Sequence, residues 1–171
     1  SRVATLSPDH LFEQADKLAV PPRAGPPRQV DLRRAISAAY YGLFHFCLTA
    51  AADEFVGVTQ RATSRYALVY RSIDHKTLRD LCLEAKKPTP AAKFAPYFPT
   101  GGFGPNIQTF STAAIELQEK RHLADYNPQP RFRTSDAKLA ISTARSAVQG
   151  FHRASDEHRK AFLTVLVCPP R

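Results

Sequence analysis

Arg121 ends an apolar run. Ile107, Phe110, Ala114, Leu117, Arg121 and Ala124 follow at steps of three and four and so share one face of a helix. A guanidinium on such a stripe is costly unless it is paired or opens onto a cleft. It can hold a phosphate oxygen in a groove, or pair with Asp125 at i,i+4, an order along the helix worth about a few tenths of a kcal/mol. Arg33, Arg34 and His45 lie together on another helical stretch and either line a phosphate-binding groove or form a solvated face. Arg131 and Arg133 flank Phe132, a basic–aromatic pattern suited to single-stranded RNA and equally to a surface loop with one buried Phe. The stretch GGFGP (101–105) lacks the GxxxxGK[ST] form of a phosphate loop. The six histidines show no HxxxH or HExxH spacing, so neither a metal site nor a cofactor is expected.

Helices must position these residues. Ser7, Pro8 and Asp9 make a good helix start for residues 7–19, with Leu11, Ala15 and Leu18 on one side. Four prolines and a glycine in residues 20–29 exclude helix interior, so 20–30 is expected as a proline-rich loop. Asp31 is placed to cap a helix running to about Phe55. Leu32, Ile36, Tyr40, Leu43, Cys47 and Ala50 form its core stripe, with Arg34, Ser37, Tyr41 and His45 beside them. Residues 62–86 read as helical with a break near 72–75. The segment 88–105 holds five prolines, three glycines and four aromatics, a second long loop whose aromatics are expected to pack it onto the body. A helix starting near Pro105 is stopped by Pro128 and Pro130, and a last one runs from a cap at Thr134 or Ser135 to about Val167, with a bend near Ser155. No period-2 strand pattern and no repeat appears. The expected fold is all-α, an up-and-down bundle of four to five helices in one domain over 1–171.

Composition limits the partners. The chain has 171 residues and a formal charge of +9, which suits nucleic acid, anionic surfaces or acidic proteins without choosing among them. An ordinary 43% hydrophobic fraction excludes disorder of the whole chain. Charged residues are expected to interrupt every apolar run, so no membrane span is foreseen, and the first residues show no apolar leader. Cys47, Cys82 and Cys168 are odd in number and set among apolar residues, which suggests reduced, buried thiols and a cytoplasmic location.

Two segments carry a family resemblance. RRAISAAYYGLFHFC (33–47) resembles the second helix of HEPN domains, and EKRHLADYNP (119–128) resembles the helix-ending motif of the same superfamily. The two occur in the family's order and are followed by a capped helix. The resemblance implies a helical bundle that pairs as a homodimer, often encoded beside a nucleotidyltransferase-type partner. It also implies metal-independent RNA cleavage by an Arg and a His four to six residues later, the His as general acid or base and the Arg against the charged phosphorane. Arg121, His122 and Tyr126 are the candidates at that motif. The sequence departs from it where it matters, because Tyr126 stands where the second His would. A free Tyr titrates near pH 10 and is a poor base at neutral pH. The expectation is therefore a HEPN-like protein that binds RNA or nucleotide phosphates with a degenerate nuclease motif, as part of a toxin–antitoxin, defence or regulatory system. An active endoribonuclease using Arg121 and His122, and a helical adaptor for an acidic partner, are the alternatives.

Overall fold

In a computed structural model, which describes residues 6–171, seven α-helices and no strand are found among the described residues. They are α1 (Pro8–Ala19), α2 (Gln29–Phe55), α3 (Ser64–Tyr70), α4 (His75–Ala85), α5 (Gly104–Tyr126), α6 (Thr134–Arg153) and α7 (Asp156–Val167). The first five residues of the segment read for a leader, and of the domain range 1–171, lie outside the described residues. The all-α class stands. The number of helices exceeds expectation because 62–86 holds two short helices and the last helical region is two, not one.

Helix α2 is the axis, with α1, α3, α5, α6 and α7 all packed on it. Its sequence explains why. Residues 35–52 contain no Asp, Glu, Lys or Arg, which corrects the expectation that charge interrupts every apolar run. By length and composition α2 is able to cross a membrane, but most of that stretch is buried inside the bundle. A helix apolar nearly all round is what the centre of a bundle requires. Alanines 35, 38, 39, 51 and 52 keep its surface low, and Gly42 admits the ring of Phe12, which a Cβ there would strike.

Helix α5 runs antiparallel to α2. Arg33 reaches Ala124, Tyr40 reaches Gln118, and Phe46 packs at 6.2 Å from Phe110, so numbers rise on one helix as they fall on the other. This pairing divides the interior. Towards the end of α2 lies a dry aromatic cluster of Phe46, Phe110, Phe151 and Phe162, with ring centroids 5.1–5.8 Å apart between Phe110, Phe151 and Phe162. Towards its start lies a layer of tyrosine, histidine, glutamine and arginine.

Several local expectations need correction. Helix α1 buries Phe12, Ala15 and Ala19 rather than Leu11 and Leu18, a shift of one residue that seats Phe12 over Gly42. Asp31 does not cap α2, which begins two residues earlier; it lies in the first turn, 3.8 Å from Arg28. At α6 neither Thr134 nor Ser135 caps, because the helix begins at Thr134 and the Arg133 N–H donates to Asp136 at 2.7 Å. The foreseen bend near Ser155 is a full break, with the Ser155 hydroxyl accepting from the His158 N–H. Cys47 and Cys82 are buried, but Cys168 is exposed beyond α7. In the second proline-rich loop Phe94 and Phe103 are buried and Phe98 half-buried, so the aromatics do pack it down, save for the exposed Tyr97.

Candidate nucleic-acid interface

Tyr40 organises the polar layer. It is fully buried, and its hydroxyl lies 2.7 Å from His75 Nδ1 and 3.4 Å from the Gln118 amide nitrogen. The same amide donates to the His75 carbonyl at 3.2 Å. With Gln118 donating to the hydroxyl, the hydroxyl's proton goes to Nδ1 and the imidazole carries its own proton on Nε2. His75 opens α4, where Asp74 accepts from the Thr77 N–H at 2.7 Å and so fixes the backbone that delivers the ring. The ring stacks on Phe44 with centroids 4.0 Å apart. Burial, and then the positive charge of Arg121, hold His75 below the usual histidine range. Burial likewise pushes the Tyr40 phenol upward.

Arg121 sits against this layer. Its guanidinium carbon is 5.2 Å from the Tyr40 ring centre and 5.7 Å from that of Tyr41, within reach for cation–π attraction. Its side chain is only 11% exposed, and its ion pair with Asp125 is long, at 3.7 Å. The Nε atom is buried and has no hydrogen-bond partner among the described residues. Aromatic faces and a distant carboxylate offset the cost of this charge only in part. Both readings of Arg121 thus meet in one place: the Asp125 pair exists, and it leaves donor capacity unused at a surface depression shared with Arg79, Gln118, Glu119, His122 and Leu123.

A groove of about 330 Å³ opens beside it between α1, α2 and α5. Arg34, Ser37, Tyr41 and His45, the second stripe of the α2 sequence, form one wall; Leu11, Gln14 and Leu18 form the other, with Asp125 at the end of α5. The Ser37 hydroxyl donates to Asp125 Oδ2 at 3.3 Å. His45 Nδ1 lies 2.7 Å from the Tyr70 hydroxyl, and burial lowers its affinity for a proton. The groove continues past Val30, Arg33, Arg34 and Tyr126 towards Arg131.

The four expected arginine ligands are placed differently from one another. Arg34 is exposed and lines the groove. Arg33 spends its guanidinium on main-chain carbonyls, donating to Ala124, Asn127 and Pro130 at 2.9, 2.6 and 2.6 Å. It satisfies the open C-terminal end of α5, a structural use. Arg131 and Arg133 are exposed, but the ring between them is not a free stacking platform. Phe132 packs against the core beneath Arg33, at 5.2 Å, and its backbone is held on both sides by the Gln29 amide at 2.8 and 2.9 Å. His122 and Tyr126 are exposed, their rings 5.1 Å apart at the end of α5. Tyr126 is 67% exposed, so it does not pack inward.

Sequence reasoning missed His75, Gln118 and the groove wall of α1. His75 lies 35 residues from Tyr40, and its local context reads only as a helix start. Its one signal was Asp74 as a cap, which marks where the ring emerges. Among the described residues no group of His, Cys, Asp or Glu is arranged to hold a metal ion. No protein-family profile, curated protein or solved structure matches the chain.

Proposed function

We propose that this chain is a HEPN-like protein that binds RNA or nucleotide phosphates through the groove lined by Arg34 and the neighbouring depression that holds Arg121, with a degenerate nuclease motif. The observation that carries the reading is Arg121, a mostly buried guanidinium whose Nε has no partner among the described residues and whose one paired carboxylate among them stands at 3.7 Å. Exposed Arg34, Arg131 and Arg133 along the same surface and the charge of +9 supply the attraction a polyanion needs. The pairing of two copies belongs to the same proposal: the exposed Tyr126 and Val30 border the groove, the exposed Leu123 borders the depression at Arg121, and a second chain would cover them. Retention of a labelled single-stranded RNA by the native chain, lost in Arg34→Ala and Arg121→Ala, tests the binding. Light scattering that gives twice the 19.0 kDa chain mass tests the pairing.

One observation favours the ribonuclease as a second reading. His122 is exposed to solvent, but His75 brings an imidazole onto the same Tyr40 that Arg121 covers, within a single chain. Cleavage that depends on Arg121 and His75 and not on His122 would select it.

A further inference from the structure

The groove between α1, α2 and α5 contains a carboxylate, which a site for bare phosphate or for an acidic peptide would not want. Asp125 receives Ser37 at 3.3 Å and Arg121 at 3.7 Å, both on Oδ2. Oδ1 has no protein partner among the described residues. An ionised carboxylate only accepts, so its match is a ligand that brings hydroxyl or N–H donors along with its negative charge. A ribose phosphate does both, and carboxylates that accept from ribose hydroxyls recur in nucleotide sites.

The rest of the groove fits the same ligand. Arg34 lies in it with no ion pair among the described residues and is exposed for a phosphate. Leu11, Leu18 and Ala38 form an apolar wall, and the Tyr41 ring lies 5.6 Å from that of Tyr40 and 5.7 Å from the Arg121 guanidinium carbon. Flat apolar contact of this kind suits a base. At the end of the groove His45 has Nδ1 committed to Tyr70 and retains Nε2 for a base edge. A volume of about 330 Å³ lies at the small end of ligand sites and is enough for one nucleotide, not for a helix of RNA.

We propose that this groove binds a single ribonucleotide unit, with its phosphate on Arg34, a ribose hydroxyl on Asp125 and its base against Leu11, Leu18 and Tyr41. The assignment rests on the RNA- or nucleotide-binding reading and names the unit that the site recognises. The 2′-hydroxyl is what separates RNA from DNA at such a contact.

Titration calorimetry of the full chain at low salt tests it, using the four ribonucleoside 5′-monophosphates, their 2′-deoxy forms, ribose 5-phosphate and inorganic phosphate. At least one ribonucleotide should bind one per chain, its deoxy form about tenfold weaker, as expected for the loss of one hydrogen bond to a charged group. Ribose 5-phosphate and inorganic phosphate should be weaker still. Asp125→Ala should erase the ribose preference, Arg34→Ala should weaken every ligand, and Leu11→Glu, on the half-exposed wall, should weaken nucleotides while circular dichroism stays unchanged. Equal affinity for ribose and deoxyribose forms, indifference to Asp125→Ala and Leu11→Glu, or no mononucleotide binding would overturn the assignment. RNA retention with no mononucleotide binding would remove this assignment alone. Mononucleotide binding with no RNA retention would remove the RNA reading and leave the groove assigned.

Discussion

His75 Nδ1 lies 2.7 Å from the Tyr40 hydroxyl, and the Arg121 guanidinium covers the same tyrosine ring at 5.2 Å. One buried tyrosine therefore joins the start of α4 to the arginine of the α5 motif. The layer is satisfied only while the imidazole is neutral, because its Nδ1 must accept.

Stability should consequently depend on pH. Burial, and for His75 the nearby Arg121, lower the affinity of both His75 and His45 for a proton in the folded chain. The unfolded chain protonates near pH 6.5 and binds protons that the folded chain refuses. Stability should thus be unaffected by these groups above that pH, fall as pH drops below about 6.5, and level off below the folded values. Urea unfolding between pH 8 and pH 5 measures this, and His75→Gln should flatten the decline. An equal decline in that variant would mean that His75 does not contribute to it.

Arg33→Ala should act on stability first. Its guanidinium donates to three carbonyls at 2.9 Å or less around the end of α5, and removing it leaves those acceptors without their donor. A loss of about 1–3 kcal/mol in urea unfolding is expected, with RNA affinity at low temperature reduced far less than by Arg34→Ala. The opposite ranking would make Arg33 a ligand.

The elements were largely legible in the sequence, the site only in part. The core stripe of α2 from Leu32 to Cys47 and the polar line Arg34, Ser37, Tyr41 and His45 are visible because both follow the helical period within one segment. The phase of α1 was not, since what decides it is Phe12 meeting the bare backbone of Gly42, a contact between segments. The use of Arg33 was hidden for a related reason: its partners are backbone carbonyls of 124–130, which no side-chain pattern encodes. Arg121 stood out as a charge on an apolar stripe, but the reason it is tolerated lies in Tyr40 and Tyr41 on another helix.

Tyr126→His should be well tolerated, because the Tyr126 ring is 67% exposed and meets the ring of His122 at 5.1 Å. If that position is the lost catalytic one, the native chain cleaves single-stranded RNA feebly or not at all. The variant, with an imidazole titrating near pH 6.5, gains cleavage that leaves 2′,3′-cyclic phosphate ends and survives EDTA. Arg121→Ala should abolish the gain, since the phosphorane loses its counter-charge. No gain in a folded Tyr126→His variant would count against the motif reading.

The salt dependence of RNA binding tests the central claim most directly. Arg34 and Arg131 line the groove, Arg121 lines the depression beside it and the exposed Arg133 lies two residues from Arg131, so together they can neutralise four phosphates of a single strand. At about 0.7 per phosphate, log K should fall against log salt with a slope near −2.8, and Arg34→Ala should make the slope shallower by about 0.7. A slope near zero, or no retention of RNA at the lowest salt, would contradict RNA binding along this surface, and if mononucleotides also failed to bind it would leave the basic face for an acidic protein partner.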